Sequence, residues 1–327
     1  MVEFWEESML KVGRAEHRLI GESSAICNLR ATIERLAPTN ASVLIVGETG
    51  SGKEVVARYL HEKGLNSAGP FVSVNCGAIP EDLAESLFFG HERGSFTGAH
   101  RTSAGYFEAA ASGTVLLDEI QDMPAGLQVK LLRALETRTA FRVGGTEPVA
   151  FNTRIIAATN GNPAQATRKG KFREDLFFRL AAFTVSVPPL RRRGSDVFAL
   201  AEMKLSELNG KCGTSKSFSK RSLQILGRYH WPGNVRELHN AIERAFILAD
   251  DELELTPAPG PSAKAVFEGG MVSIPVGAPL FEAQQFMIAS ALRHFGGDKP
   301  AAARSLGISL KTLYNRLGRL APSDAAQ

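Results

Sequence analysis

Cysteine is scarce in this chain: Cys27, Cys76 and Cys212 are the three in 327 residues, an odd number, scattered, with no spacing of metal ligands. A disulfide framework and a thiolate metal site are therefore not what organises it, and structural thiols in a reducing compartment are expected. Long hydrophobic runs are missing too. No stretch approaches the roughly 18 to 20 apolar residues that a bilayer crossing needs, so no membrane partner is expected. The first residues, MVEFWEESMLKVGR, mix acids with apolar side chains and lack the basic start and apolar centre of a secretion signal. The cytoplasm is the expected compartment. An excess of charge of one sign is also nearly absent, 38 Lys and Arg against 34 Asp and Glu leaving a net of +4. That value argues nothing by itself, but Arg293, Lys299, Arg304, Lys311, Arg316 and Arg319 outnumber Glu282 and Asp298 between Leu280 and Leu320. The C-terminal segment thus holds the excess, and a nucleic-acid contact is sought there first.

Hydrophobic residues make up 44% of the chain, enough to build a globular core in about two domains. The central stretch is VLIVGETGSGKE, Val43 to Glu54. Four apolar residues read as a buried strand, and the chain turns through Gly47, Gly50 and Gly52 before a helix-spaced stripe begins at Val55. Such a loop converges backbone N–H groups on an anion, adds a helix N-terminus, and places Lys53 to reach outer phosphates. The general pattern asks for Ser or Thr after the lysine. Here that residue is Glu54.

Around the loop the chain alternates helix and strand. A helical pattern runs from Ile26 through Leu36 to Pro38, and short strands are predicted at Phe71–Cys76, Val115–Leu117 and Arg154–Asn160. The alternation predicts a three-layer α/β domain with a mainly parallel sheet. The strand in GTVLLDEI delivers Asp118 and Glu119 at its C-terminal end, the edge at which open α/β sheets hold ligands. Beside a phosphate loop, Asp118 has a use as a magnesium ligand and Glu119 as the base for an attacking water. Thr159 and Asn160 end another strand, where a γ-phosphate could be sensed. Between Asn75 and Asp118 lies FGHERGSFTGAHR, in which Phe96 stands on a flexible polar loop with little to pack against. Either it folds back on the core or it is displayed to a partner.

The strings GETGSGKE, FFGHERGSFTGA, VLLDEI, RVGGTEPV, IIAATN, GKFREDLFFRL, PPLRRRGSDV and WPGNVREL together resemble the AAA+ ATPase domain of sigma-54-dependent transcription activators, the bacterial enhancer-binding proteins. The similarity runs from about Leu19 to Leu255, and GSFTGA is nearly exclusive to that family. The resemblance implies a role for each matching position. Gly47, Glu48, Thr49, Gly50, Ser51, Gly52 and Lys53 would hold the phosphates of ATP, Glu54 being the family's residue at its position. Asp118 would bind Mg2+, Glu119 would activate water, and Asn75 would report nucleotide state by touching that glutamate. Thr159 and Asn160 resemble the first sensor, Arg236 the second, and Gly21 lies where the base is approached. Arg173 and Arg179 resemble arginine fingers that a neighbouring subunit inserts, which implies a homo-oligomer, a hexamer in the family. Gly94, Ser95, Phe96, Thr97, Gly98 and Ala99 would touch sigma-54. The family's usual string has alanine in place of Ser95, and Glu and Leu in place of Leu87 and Phe88.

From Phe218 the pattern is helical, broken at Trp231–Gly233, with Val235, Leu238, Ile242 and Ala245 marking a buried face. This reads as the ATPase's small helical lid. Thr256 to Pro279 is rich in proline, glycine and alanine and reads as a semi-flexible linker. Three further helices are expected: one ending at Gly296, a second capped by Asp298, and a third capped by Ser309 with Leu310, Leu313, Leu317 and Leu320 facing inward. The last pair fits a helix-turn-helix reader, and GGDKPAAARSLGISLKTLYNRL resembles a Fis-type DNA-binding domain. Ser309, Lys311, Thr312, Asn315, Arg316 and Arg319 are the candidate DNA contacts, the last two to phosphates.

The expected organisation is a lead-in (1–18), an α/β subdomain (19–188), a lid (189–255), a linker (256–279) and a helix-turn-helix domain (280–322). The expected function is ATP-driven conversion of the sigma-54 RNA polymerase closed complex into an open complex, from double-stranded DNA sites forming an upstream inverted repeat. A DNA-acting motor of the same fold, and a nucleotide-sensing regulator that never melts promoters, are the rival readings. The lead-in has no room for a receiver or ligand-sensing domain, so control is expected from an inhibitor or co-activator in trans or from expression level.

Overall fold

The computed structural model describes residues 19–161, 163–168, 170–257, 266–268, 271–273 and 280–317. The chain divides into two compact units, Met1–Pro257 and Ala258–Gln327.

The first unit is built on five parallel strands: β1 (Val43–Val46), β2 (Phe71–Asn75), β3 (Thr114–Asp118), β4 (Arg154–Thr159) and β5 (Phe183–Ser186), in the order β2-β3-β4-β1-β5. Their register sets Val43 opposite both Ile156 and Phe183, and Val115 between Val72 and Ile155. The central runs VLI, TVLL and IIAA are buried because parallel strands are covered on both faces. Successive side chains serve opposite faces. Leu44, Val115, Leu117, Ile155 and Ala157 pack with Phe88 of α3 (Glu81–Phe89), Phe107, and Leu131 and Leu135 of α4 (Ala125–Thr137). Val43, Ile45, Leu116 and Ile156 pack with Ile26 and Ile33 of α1 (Ser24–Leu36) and Val56 and Leu60 of α2 (Lys53–Glu62). The three-layer arrangement is therefore present, with α5 (Glu174–Leu180) preceding the edge strand β5.

The lid follows as α6 (Asp196–Cys212), α7 (Lys220–Arg228) and α8 (Asn234–Leu248). Its own core joins Leu200, Leu205, Leu226, Leu238 and Ile242 around Trp231, which is 1% exposed. The Trp231 indole N–H donates to the Leu226 carbonyl at 3.3 Å, so the polar end of the ring is satisfied. Cys76 is buried while Cys27 and Cys212 are exposed, so of the three thiols only Cys76 has the structural placement expected.

In the second unit the stretch read as a linker contains an antiparallel pair, Val266–Glu268 with Met271–Ser273. Helices α9 (Leu280–His294), α10 (Lys299–Ser305) and α11 (Leu310–Leu317) pack Ile288, Ala303 and Leu313 together. Asp298 caps α10 by accepting from Ala301 N at 3.1 Å, and Ser309 caps α11 by accepting from Thr312 N at 3.1 Å. Gly307, at φ 65°, makes the turn between them. One expectation fails here. Leu310 is 40% exposed, because it opens the first turn of α11 before the helix reaches its partners. Leu320 lies outside the described residues, as does the Leu317 side chain. Among the described residues no helix is long and apolar enough to cross a membrane.

One buried cation ties the first unit together. Arg154, 2% exposed at the start of β4, donates to the Leu36 and Ala37 carbonyls at 2.9 and 3.0 Å. It caps the C-terminus of α1, where orphan carbonyls favour a positive group. Burial holds its pKa below the ordinary arginine value, the direction expected for a desolvated cation. Arg154→Ala takes the donor from the Ala37 carbonyl, leaves the Leu36 carbonyl to Thr39 alone, and opens a cavity, an expected loss of about 3 kcal/mol. In thermal melting this is a fall in Tm of about 5–10 °C; an unchanged Tm contradicts the capping role.

Candidate functional site

The phosphate loop occupies the turn from β1 into α2. Gly50 and Gly52 adopt φ of 75° and 97°, values open to glycine without strain. A Cβ on Gly52 would meet nothing, so its left-handed backbone faces open space. Gly47 is tight, since a Cβ there would come within 2.9 Å of Ser51 Oγ and 3.0 Å of Val187. Lys53 is 7% exposed and its Nζ donates to the Gly47 carbonyl at 3.1 Å, curled over the loop it is expected to serve. Ser51 Oγ is buried with no hydrogen-bond partner. A buried, unsatisfied hydroxyl in a loop of converging amides is what an anionic ligand would complete. Glu54 instead pairs with Arg58 at 2.8 Å along the surface of α2, a spacing of one helical turn.

The lid closes on the back of this loop. The Gly50 carbonyl accepts from Val235 N at 3.0 Å, and a Cβ on Gly50 would overlap the Gly233 carbonyl and press on Arg236 Cβ at 2.9 Å. Asn234, fully buried at φ 54°, donates to the Thr49 carbonyl and to Glu48 Oε2, both at 3.1 Å, and accepts from Leu190 N at 2.8 Å. Arg193, 3% exposed, donates to the Ser51 carbonyl at 2.5 Å and the Pro188 carbonyl at 2.8 Å. Arg191 pairs with Glu48 at 2.5 Å, and this hydrogen bond holds the Glu48 carboxyl below its usual range. Asp196 accepts from the Glu22 and Ser23 backbone at 2.8 and 3.0 Å, and a Cβ at Gly21 would overlap its carboxylate. Gly21 is thus where the entering chain meets the lid. Arg236 itself is exposed.

Asp118 and Glu119 emerge at the end of β3, where Glu119 takes the left-handed conformation at φ 51°, ψ 47°. That places a non-glycine residue in a sparsely used region, the kind of strain found where a side chain must be aimed. Burial raises the Asp118 pKa, and the charge of Lys53 opposes the rise. The Asn75 contact is not as the resemblance implies. Asn75 stands opposite Asp118 in the strand register, but its Oδ1 accepts from Gly77 N at 3.0 Å because the chain leaves β2 in a tight turn that needs a cap. Gln121 donates to Glu119 Oε2 instead, at 2.8 Å. Thr159 is buried and donates to Gln121 Oε1, and Asn160 lies 3.4 Å from Thr49 Oγ1 of the phosphate loop.

Arg173 and Arg179 are exposed on and beside α5. Arg173 is bound by Asp175 at 2.7 Å and Arg179 by the Leu135 carbonyl at 3.0 Å. Among the described residues neither bonds to the loop or acid pair of its own chain.

The GSFTGA stretch forms a compact loop. Gly94 and Gly98 have φ of 84° and 109°, and Gly94 N donates to the Ala99 carbonyl at 2.8 Å, closing the turn. Its base is fixed by Glu92, which accepts from Arg142 at 2.9 Å, while Arg142 also grips Glu108 at 2.7 Å. Ala99 is buried, Thr97 and Gly98 are exposed, and Phe96 is 38% exposed with its ring edge-on to His91 at 5.1 Å. The two readings of Phe96 thus meet halfway: one edge rests on His91 and the rest faces solvent. Ser95 lies against Gly144, where a Cβ would press on it. Phe88 is 1% exposed, edge-on to Tyr106 at 5.7 Å, so at this position the departure from the family string serves the core, while Leu87 is 36% exposed.

In α11, Lys311 is exposed while Thr312 is half-buried with its hydroxyl 2.8 Å from Ser309 Oγ. Ser309 and Thr312 are therefore tied into the helix cap rather than left open. The side chains of Asn315 and Arg316, and all of Arg319, lie outside the described residues.

Asn234, Arg193, Arg191, Asp196, Gln121 and Arg142 received no role from the sequence. Arg191, Arg193 and Asp196 sit inside PPLRRRGSDV, Asn234 inside WPGNVREL and Arg142 at the start of RVGGTEPV, while Gln121 follows directly on VLLDEI. Residues 19–186 match the Sigma-54 interaction domain, 191–258 the AAA+ ATPase lid domain, and 280–320 the Fis family of bacterial regulatory proteins. The chain is 45% identical to the transcriptional regulatory protein FlbD of Caulobacter vibrioides over 87% of its own length and 66% of FlbD. It is 43% identical to the nitrogen fixation protein AnfA of Azotobacter vinelandii over 92% of its length and 57% of AnfA. It thus spans less than two thirds of these relatives. Among solved structures, NtrX from Brucella abortus in complex with ATP aligns with a TM-score of 0.68 at 32% identity, over 98% of this chain and 73% of NtrX. The matched domains, in this order and over nearly the whole chain, make it a member of the sigma-54-dependent transcription activators, with a AAA+ P-loop fold, a lid and a C-terminal helix-turn-helix.

Proposed function

We propose that this protein hydrolyses ATP and uses the energy to remodel sigma-54 RNA polymerase from closed to open complex. The observation that carries the reading is one α/β unit holding both a phosphate loop beside an acid pair and a braced, outward-facing Gly94–Ala99 loop. The residues fit the nucleotide: Ser51 Oγ is unsatisfied, Gly52 faces open space, and Lys53 is held only by a carbonyl it can exchange for phosphate. Asp118, an oxygen donor whose burial disfavours its charge, would hold Mg2+, and the ion would supply neutralisation of phosphate charge. Glu119 takes a proton from the attacking water, and Thr159 and Asn160 face the outer phosphate.

Arg173 and Arg179 stand on the surface and complete a neighbour's site, which makes the working form a ring, a hexamer as in the family. Phe96 and Thr97 present the contact to sigma-54, and Arg142 transmits force through Glu92 and Glu108 because both carboxylates share its one guanidinium. Lys311 at the start of α11 reaches base edges, and Arg316 and Arg319 reach phosphates. The cytoplasm is the compartment in which such a partner and DNA are met.

Glu119→Gln is expected to keep nucleotide affinity within about threefold and to cut turnover by about a hundredfold or more; normal phosphate release by this variant removes Glu119 as the base. Thr97→Ala is expected to leave ATPase activity within about twofold, since Thr97 is exposed and belongs to neither the phosphate loop nor the acid pair, while transcription from a sigma-54 promoter is lost. Full activation by Thr97→Ala contradicts the loop assignment.

A further inference from the structure

Gln121 sits at the centre of the acid pair without a role in the reading above. It belongs to the 3-10 turn Ile120–Asp122 that follows Glu119. Ile120 and Met123 are 1% and 3% exposed, so the turn's backbone is anchored on both sides and the half-buried Gln121 side chain is the part free to shift. Its Oε1 accepts from Thr159 Oγ1. Its Nε2 lies 2.8 Å from Glu119 Oε2, 3.2 Å from Asn160 Oδ1 and 3.2 Å from Asp122 Oδ2.

A primary amide has two N–H donors, and here three acceptors compete for them. Two N–H groups cannot each serve three acceptors singly, so the group has more than one hydrogen-bond arrangement. Asn160 also reaches Thr49 of the phosphate loop at 3.4 Å. A phosphate held by that loop therefore competes for the same side chains that hold Gln121, and any change in them is passed to the Glu119 carboxylate through a single amide.

We propose that Gln121 is a positioning residue, a hydrogen-bond relay that reports occupation of the outer phosphate position from Thr159 and Asn160 to the base Glu119. The proposal rests on the hydrolytic reading of the site and adds how the base learns that ATP rather than ADP is bound. With the outer phosphate present, Asn160 and Thr159 turn to it, the freed donor of Gln121 commits to Glu119, and the carboxylate is fixed for its water. With ADP the amide stays shared among its acceptors and Glu119 is held loosely.

The test uses the full chain as wild type, Gln121→Ala and Gln121→Glu, with fluorescent ADP and a fluorescent non-hydrolysable ATP analogue titrated at a concentration that assembles the protein. The relay predicts that Gln121→Ala changes the ratio of the two affinities by about fivefold or more while ADP affinity stays within about twofold, and that kcat falls about tenfold with KM far less affected, the scale of one charge-assisted hydrogen bond. Gln121→Glu keeps the acceptor for Thr159 but loses both donors and sets a second carboxylate against Glu119, so its kcat falls at least as far. Tm unchanged in both variants accompanies these results if the role is positional. A wild-type affinity ratio and kcat in Gln121→Ala overturns the relay, and so does an equal loss of both nucleotides with a lowered Tm, the mark of a structural role. A wild type that binds both nucleotides but turns over neither refutes hydrolysis, and the affinity ratio then still decides the relay.

Discussion

The clasp between the phosphate loop and the lid is the interaction on which the rest depends. Asn234 reaches the loop at Thr49 and Glu48 and returns to the lid through Leu190, while the Gly50 carbonyl accepts from the first turn of α8. The Asn234 side chain is fully buried, so leaving its amide unpaired costs about 1–3 kcal/mol. The loop is therefore not free to reshape alone: a ligand that draws its amides inward also draws on the lid. Gly50 shows why the fit is strict, since any side chain there would collide with the backbone of Gly233.

The second constraint is the end of the parallel sheet. Strands β2, β3 and β4 stop side by side, and their last residues Asn75, Asp118 and Thr159 lie along one edge of the sheet. From that edge α3 leads to the Gly94–Ala99 loop, whose root is gripped by Arg142 between Glu92 and Glu108. Nucleotide site and displayed loop are thus parts of one packed layer, with Phe88 and Phe107 filling the space between the helix and the sheet. A core of this density passes displacement on rather than absorbing it.

Much of the fold was legible because burial leaves a periodic trace. The runs VLIV, VLL and RIIAAT are strands, Pro38 follows the end of α1, and Asp298 and Ser309 cap their helices as their positions promise. The chemical residues were legible in part: Lys53, Asp118 and Glu119 declare themselves by motif. What stayed hidden is contact across long sequence separations. Nothing local in the sequence says that Arg193 caps the Ser51 carbonyl, that Arg154 caps α1, or that Asn75 is spent on Gly77 while Gln121 takes Glu119. Leu310 was misplaced because helical periodicity gives a face but not where the partner helix ends.

The most direct test of the account is melting of a supercoiled sigma-54 promoter by the purified chain with sigma-54 RNA polymerase and ATP, read by reactivity of unpaired bases. The account predicts an open complex with ATP and none with a non-hydrolysable analogue. Normal ATP hydrolysis with no melting would contradict it, and would leave a nucleotide-sensing DNA-binding regulator in its place.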